Sequence, residues 1–150
     1  MTATDSTVPS EGTPARSWRP FRILLAVTLL LTTIQGAVGG PLAGMGGFNI
    51  ATSTSFGDVF SAIMTSSGLL IFHAFEGASI FVLAAATATF AFRYKNRGVN
   101  LFAVLSMIAA LIAVLGGYLH IGGSPAGIPL MSEGFIATYA LLFITLYFTK

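Results

Sequence analysis

Four titratable side chains stand apart in a chain with little else to react: His73, Glu76, His120 and Glu133. Each lies in or at the end of a long apolar run, where an ionisable group is costly unless it faces a partner. His73 and Glu76 are three residues apart, which puts them on one side of a helix. At ~1.5 Å per residue, His73 lies ~30 Å from Arg93 and His120 ~28 Å from Leu101, so both imidazoles reach nearly one depth. Glu76 and Glu133 share a second level, each 17 residues from a basic residue, Arg93 and Lys150. Gln35, 13 residues beyond Arg22, is the strongly polar side chain of the first apolar run and can join them.

These residue types permit several chemistries. Two imidazoles on separate helices at one depth can ligate one haem iron axially, so His73 and His120 are the candidate cofactor ligands, with Glu76, Glu133 and Gln35 as the surrounding polar cluster. Two histidines and two glutamates could instead hold iron, zinc or manganese, but His-x-x-Glu lacks the second motif that would specify such a metal. Glu76 could also carry protons or serve a quinone. A structural role stands beside all of these: a boundary histidine seated in interfacial water, Glu133 wetted as it opens the last helix, and a His–Glu pair that satisfies itself.

The elements that must position these groups are membrane helices. Hydrophobic residues make up 55% of the chain and charged ones 8%, which leaves too little polar surface to cover a water-soluble globule. A bilayer core of ~30 Å needs about 20 apolar residues, and four runs meet that length: Ile23 to Leu42, Leu69 to Phe92, Leu101 to Ile121 and Ile128 to Phe148. The expected fold class is therefore all-α, an integral membrane four-helix bundle over residues 21–150. Residues 1–20, rich in Thr, Ser, Pro and Glu, read as a disordered cytoplasmic tail. The loop from Ala43 to Gly68 carries Asn49 and Asp58, and its apolar stretch from Val59 to Met64 suits a short interfacial helix.

All seven basic residues fall on one side of this threading. Arg16, Arg19 and Arg22 precede the first run, Arg93, Lys95 and Arg97 sit between the second and third, and Lys150 follows the fourth. That distribution predicts both termini inside the cell membrane. The formal charge of +2 comes from these topogenic residues and not from a basic face, so the partners expected are the lipid bilayer and other membrane subunits, with no nucleic acid. With no cysteine there is no disulfide, thiolate metal site or covalent c-type haem attachment. Arg19, Arg22 and the run that follows also resemble a secretory signal, but apolar character continues past Val38 to Leu42.

A shift of 77 residues lays Gly39-Gly40 on Gly116-Gly117, and a shift of 57 lays Glu76-Gly77 on Glu133-Gly134. The pattern is that of two parallel two-helix repeats, each a helix ending in Gly-Gly followed by one opening with Glu-Gly. Gly36-x-x-x-Gly40 and Ala113-x-x-x-Gly117 are small-xxx-small patterns that let helix backbones approach closely, and mark the expected packing residues Gly36, Gly40, Ala113 and Gly117.

The run Gly36-Ala37-Val38-Gly39-Gly40-Pro41-Leu42-Ala43-Gly44, followed by Ile71-Phe72-His73-Ala74-Phe75-Glu76-Gly77, resembles one four-helix half of the haem A synthases. The resemblance implies a haem-bearing bundle with its site toward the outer face, and carries His73 over as a second-helix ligand. The chain departs from the family pattern in three places. Glu76 follows its histidine instead of preceding it, Ala74 stands where an arginine is usual, and Glu133-Gly134 stand near the fourth-helix histidine. The functional expectation is thus a haem-binding, b-type cytochrome-like or haem-A-synthase-like protein linked to respiratory electron transfer, with a noncatalytic accessory subunit of a larger respiratory membrane complex as the alternative. Whether the chain is an enzyme is left open.

Overall fold

A computed structural model describes residues 17–45, 51 and 53–149. Of the landmarks read from the sequence, Arg16, Asn49, Lys150 and the first sixteen residues of the expected tail lie outside them. Five helices follow in order: α1 (Arg19–Met45), α2 (Phe56–Met64), α3 (Gly68–Ala91), α4 (Arg97–Ile121) and α5 (Gly127–Tyr147), with a single 3-10 turn at Phe92–Tyr94 after α3. No strand occurs among the described residues, and 85% of them are helical. Four of the helices are long and apolar enough to cross a membrane. The expected all-α membrane bundle is what forms.

Local chemistry sets the ends. Pro20 and Pro129 sit in the first turns of α1 and α5, where a missing N–H removes no intrahelical bond. Ser67 caps α3 by accepting from Leu70 N at 3.3 Å, and Asn96 caps α4 by accepting from Gly98 N and Val99 N at 3.0 and 3.2 Å. Lys95, at φ 52°, takes the left-handed conformation that separates α3 from α4. The first span starts four residues before the expected Ile23, because Arg19 and Pro20 already belong to α1. Trp18, assigned on sequence to the disordered tail, instead stacks on Tyr94 with ring centroids 4.0 Å apart, and Tyr94 Oη donates to Ser17 O at 3.0 Å.

Packing is that of a membrane protein. Ile23, Leu30, Val82, Leu115 and Ile136 are exposed, an arrangement lipid tolerates and water would not. The interior is lined by small residues and hydroxyls. Thr28, Thr32, Thr87, Ser106, Thr138 and Thr145 are buried, and each hydroxyl donates to a carbonyl three or four residues earlier in its own helix, at 2.7 to 2.8 Å. Neighbouring helices run α1, α3, α4, α5 around the bundle, with α4 and α5 the most extensive pair and α5 closing more loosely on α1. The two halves of the expected repeat each pack as an antiparallel pair, α1 with α3 and α4 with α5.

One end of the bundle holds the described basic residues. There the Arg22 guanidinium donates to both the side chain and the backbone carbonyl of Thr149, tying α1 to the chain after α5. The other end holds α2, pinned to α4 by Val59 and Ala62 against Ile121 and by Tyr118 Oη donating to Thr54 O at 2.6 Å. Phe56, Phe60 and Met64 repeat every fourth residue along α2 and are exposed on its free side. That spacing makes a stripe suited to the acyl boundary. In a Trp18→Phe background a tryptophan placed at Phe60 should be quenched by brominated lipid chains as strongly as one placed at Leu30; quenching only by aqueous iodide would put α2 in water.

Candidate functional site

The groups singled out by sequence separate into two places. Gln35 and His73 meet in the seam between α1 and α3: Gln35 Nε2 donates to His73 O at 3.1 Å and lies 3.4 Å from His73 Nε2. Both side chains occupy notches left by glycines on the opposite helix. A Cβ at Gly39 would fall 2.9 Å from His73 Cε1, and one at Gly77 would fall 3.0 Å from Gln35 Nε2. Glu76 is 6% exposed, deep for a carboxylate. At ~100° per residue it lies ~60° around α3 from His73, inside the same buried arc.

His120 belongs elsewhere. It is the penultimate residue of α4, and with Gly123, Ser124, Pro125 and Ile128 it lines an open cavity of about 250 Å³ at the α4–α5 turn. A second open cavity, of about 430 Å³, lies at the arginine-rich end against Ser17, Trp18, Arg19 and Arg22. Neither cavity reaches His73. Glu133 is exposed on α5, while its repeat counterpart Glu76 is buried. Among the described residues no group of three or more His, Asp or Glu side chains converges on a metal position.

The expected packing residues also divide. Gly36 is close-packed, since a Cβ there would meet the Phe135 ring at 2.8 Å, and Ala113 receives Gly134 of α5, where a Cβ would fall 2.5 Å from the Ala113 backbone nitrogen. Among the described residues a Cβ at Gly40 would meet nothing within 4 Å, and one at Gly117 would meet only the Met131 sulfur at 3.6 Å. The correction has a simple cause. In each Gly-Gly pair the first member, Gly39 or Gly116, turns to the neighbouring helix, and the second points ~100° away from it. Sequence spacing alone marked the pairs but not their inward member.

Sequence reading missed the buried hydroxyls. The threonines recur at helical spacing, as in Thr28 and Thr32 or Thr138 and Thr145, a signal that was there to be used. They now provide the contrast that isolates the site. Each of the six buried hydroxyls within the helices is satisfied in its own helix, whereas Gln35 Oε1, His73 Nδ1 and both Glu76 oxygens are buried with no hydrogen-bond partner among the described residues.

No described contact or cavity brings His73 and His120 together, and His73 Nε2 is covered by Gln35. Searches of protein-family models, of the curated proteins and of the solved structures find no match to the chain. The site must speak through its own chemistry.

Proposed function

We propose that this chain is a small noncatalytic subunit of a larger membrane assembly of the respiratory kind, lying in the cell membrane with both termini inside, to which it contributes an intramembrane polar site. The observation that supports this reading is where the chemistry sits. Outside the spans the described residues form short turns and one nine-residue helix, no platform for a soluble substrate, while Gln35, His73 and Glu76 lie within the spans. Polar groups kept there at energetic cost serve partners that share the bilayer. The test is native electrophoresis of mildly solubilised source membranes. The chain should run in one discrete larger complex that is lost on deleting its gene and restored by supplying it again. Migration as a single chain, with the membrane's other complexes unchanged by deletion, would overturn the reading.

A haem-bearing form has one observation in its favour, the unpartnered Nδ1 of His73. A bound haem would supply one-electron transfer, and His73 is the side chain that would hold it, once Gln35 turns away. Since His120 stands at a different seam, its replacement by alanine should leave any haem spectrum intact and His73→Ala should abolish it. A purified protein with no Soret band after expression with ample haem ends this reading.

A further inference from the structure

Four unpartnered buried atoms, Gln35 Oε1 and His73 Nδ1 in the α1–α3 seam and the two Glu76 oxygens beside it on α3, carry a more specific conclusion. His73 O can only accept a hydrogen bond, so the nitrogen of the Gln35 amide, and not its oxygen, must face it. The second amide hydrogen then points toward His73 Nε2, which makes that nitrogen an acceptor and leaves the ring proton on Nδ1. The remaining inventory is unbalanced. Nδ1–H is one donor, against Gln35 Oε1 and the two Glu76 oxygens as acceptors. What the site lacks is hydrogen.

The occupant must also be small. The notches at Gly39 and Gly77 are already filled by the imidazole and the amide. The other elements bring few titratable groups. Between Arg22 and Met45 α1 has none, and between Arg97 and Tyr118 α4 has none, with His120 at its end; α2, which packs on α3, carries the half-buried Asp58; α5 brings Glu133, which is exposed, and Tyr139 and Tyr147, further toward the arginine-rich end.

We propose that Glu76 is an intramembrane proton-binding group, with His73 as the positioning residue that offers Nδ1–H to the carboxylate through a bridging water, and Gln35 as the group that fixes the imidazole tautomer. Glu76 follows His73 by three residues, so one water spans the turn between them. An arriving hydronium leaves its proton on a Glu76 oxygen and departs as water. The carboxylate becomes a neutral acid able to donate, and release reverses the step. Neither a partner subunit nor a haem is required, so failure of the assembly reading leaves this one standing, and the reverse holds too.

The experiment is infrared spectroscopy of the full chain in lipid nanodiscs, titrated with pH. A protonated carboxyl gives a carbonyl stretch clear of the amide bands, and it should appear and vanish reversibly with pH. Glu76→Gln should remove that band, while Glu133→Gln keeps it. His73→Ala should move the pH at which the band is half lost by about one unit, a tenfold change in proton affinity. His73→Gln, which restores a side-chain N–H, should recover part of that shift, a result that loss of packing would not give. Should Glu76→Gln fail to assemble, carbon-13 glutamate in a Glu11→Gln, Glu133→Gln chain, which leaves Glu76 as the one glutamate, assigns the band by its isotope shift. A wild-type protein with no protonated-carboxyl band at any pH, a band that survives Glu76→Gln, or one that ignores the glutamate label would overturn the proposal.

Discussion

Replacing Gly134 with leucine should prevent α4 and α5 from docking and rank among the most costly single changes in the bundle. A Cβ at this position would lie 2.5 Å from Ala113 N and 2.8 Å from Ala109 O, distances no real Cβ contact tolerates. The obstructing atoms are backbone, which cannot rotate aside as a flexible side chain would, so the whole of α5 must move. Moving it breaks a contact that continues along the pair, where a Cβ at Gly116 would collide with the Met131 backbone and one at Gly127 with the His120 backbone. Overpacking of a well-filled core costs about 1–3 kcal/mol, and this case belongs above that range because nothing yields. Lipid offers no compensation, since a leucine side chain gains little by leaving one apolar medium for another. Alanine at 134 should already be clearly destabilising. Gly40→Leu, whose Cβ would meet none of the described residues within 4 Å, should change stability by less than about 0.5 kcal/mol. Thermal unfolding in a mild detergent, followed by loss of the monodisperse peak, measures all three. Equal melting of the Gly134→Leu and Gly40→Leu proteins would contradict this packing.

The same contrast explains what could be read in the residues alone. Span positions were legible because bilayer thickness imposes a length of about 20 apolar residues, and the four helices cover the four expected runs. A short helix around Val59 to Met64 was legible too, and α2 spans Phe56–Met64. Rotation was not. A membrane helix is apolar all round, so no amphipathic period tells Gly39 from Gly40 or sets the burial of Glu76 against the exposure of Glu133. Partners fix it instead. Glu133-Gly134 and Glu76-Gly77 are the same dipeptide, but Gly134 is pressed onto the α4 backbone while Gly77 receives only the Gln35 amide, a looser seam with room for polar groups. The equal depth of His73 and His120 on a count of residues likewise said nothing of azimuth. Depth is set by rise along one helix, whereas meeting across a bundle also needs the rotation of both.

A reporter fused after Lys150 should stay in the cytoplasm and one inserted at Ala126 should be exported, an all-or-none difference. Arg19, Arg22, Arg93, Lys95 and Arg97 occupy the starts and connections at one end of the bundle, where Trp18 stacks on Tyr94 and Arg22 holds Thr149. Asp58, Glu133 and His120 are at or near the other end. Basic residues in short loops resist translocation, and both the α1 start and the α3–α4 connection carry them, so each hairpin favours one orientation. Substituting Arg93, Lys95 and Arg97 by glutamine while adding lysines to the Gly122–Ala126 turn should invert or scramble the second hairpin, which a charge-independent topology would not do. Orientation also decides which compartment the buried carboxyl answers to. Glu76 stands 17 residues from Arg93 and eight from Gly68, or ~25 Å and ~12 Å along α3, so its shorter path to water is at the α2 end. With the arginines inside, protons reach it from the exported side. An exported C-terminal reporter would therefore turn the bundle over and send the same carboxyl's shorter path to the cytoplasm.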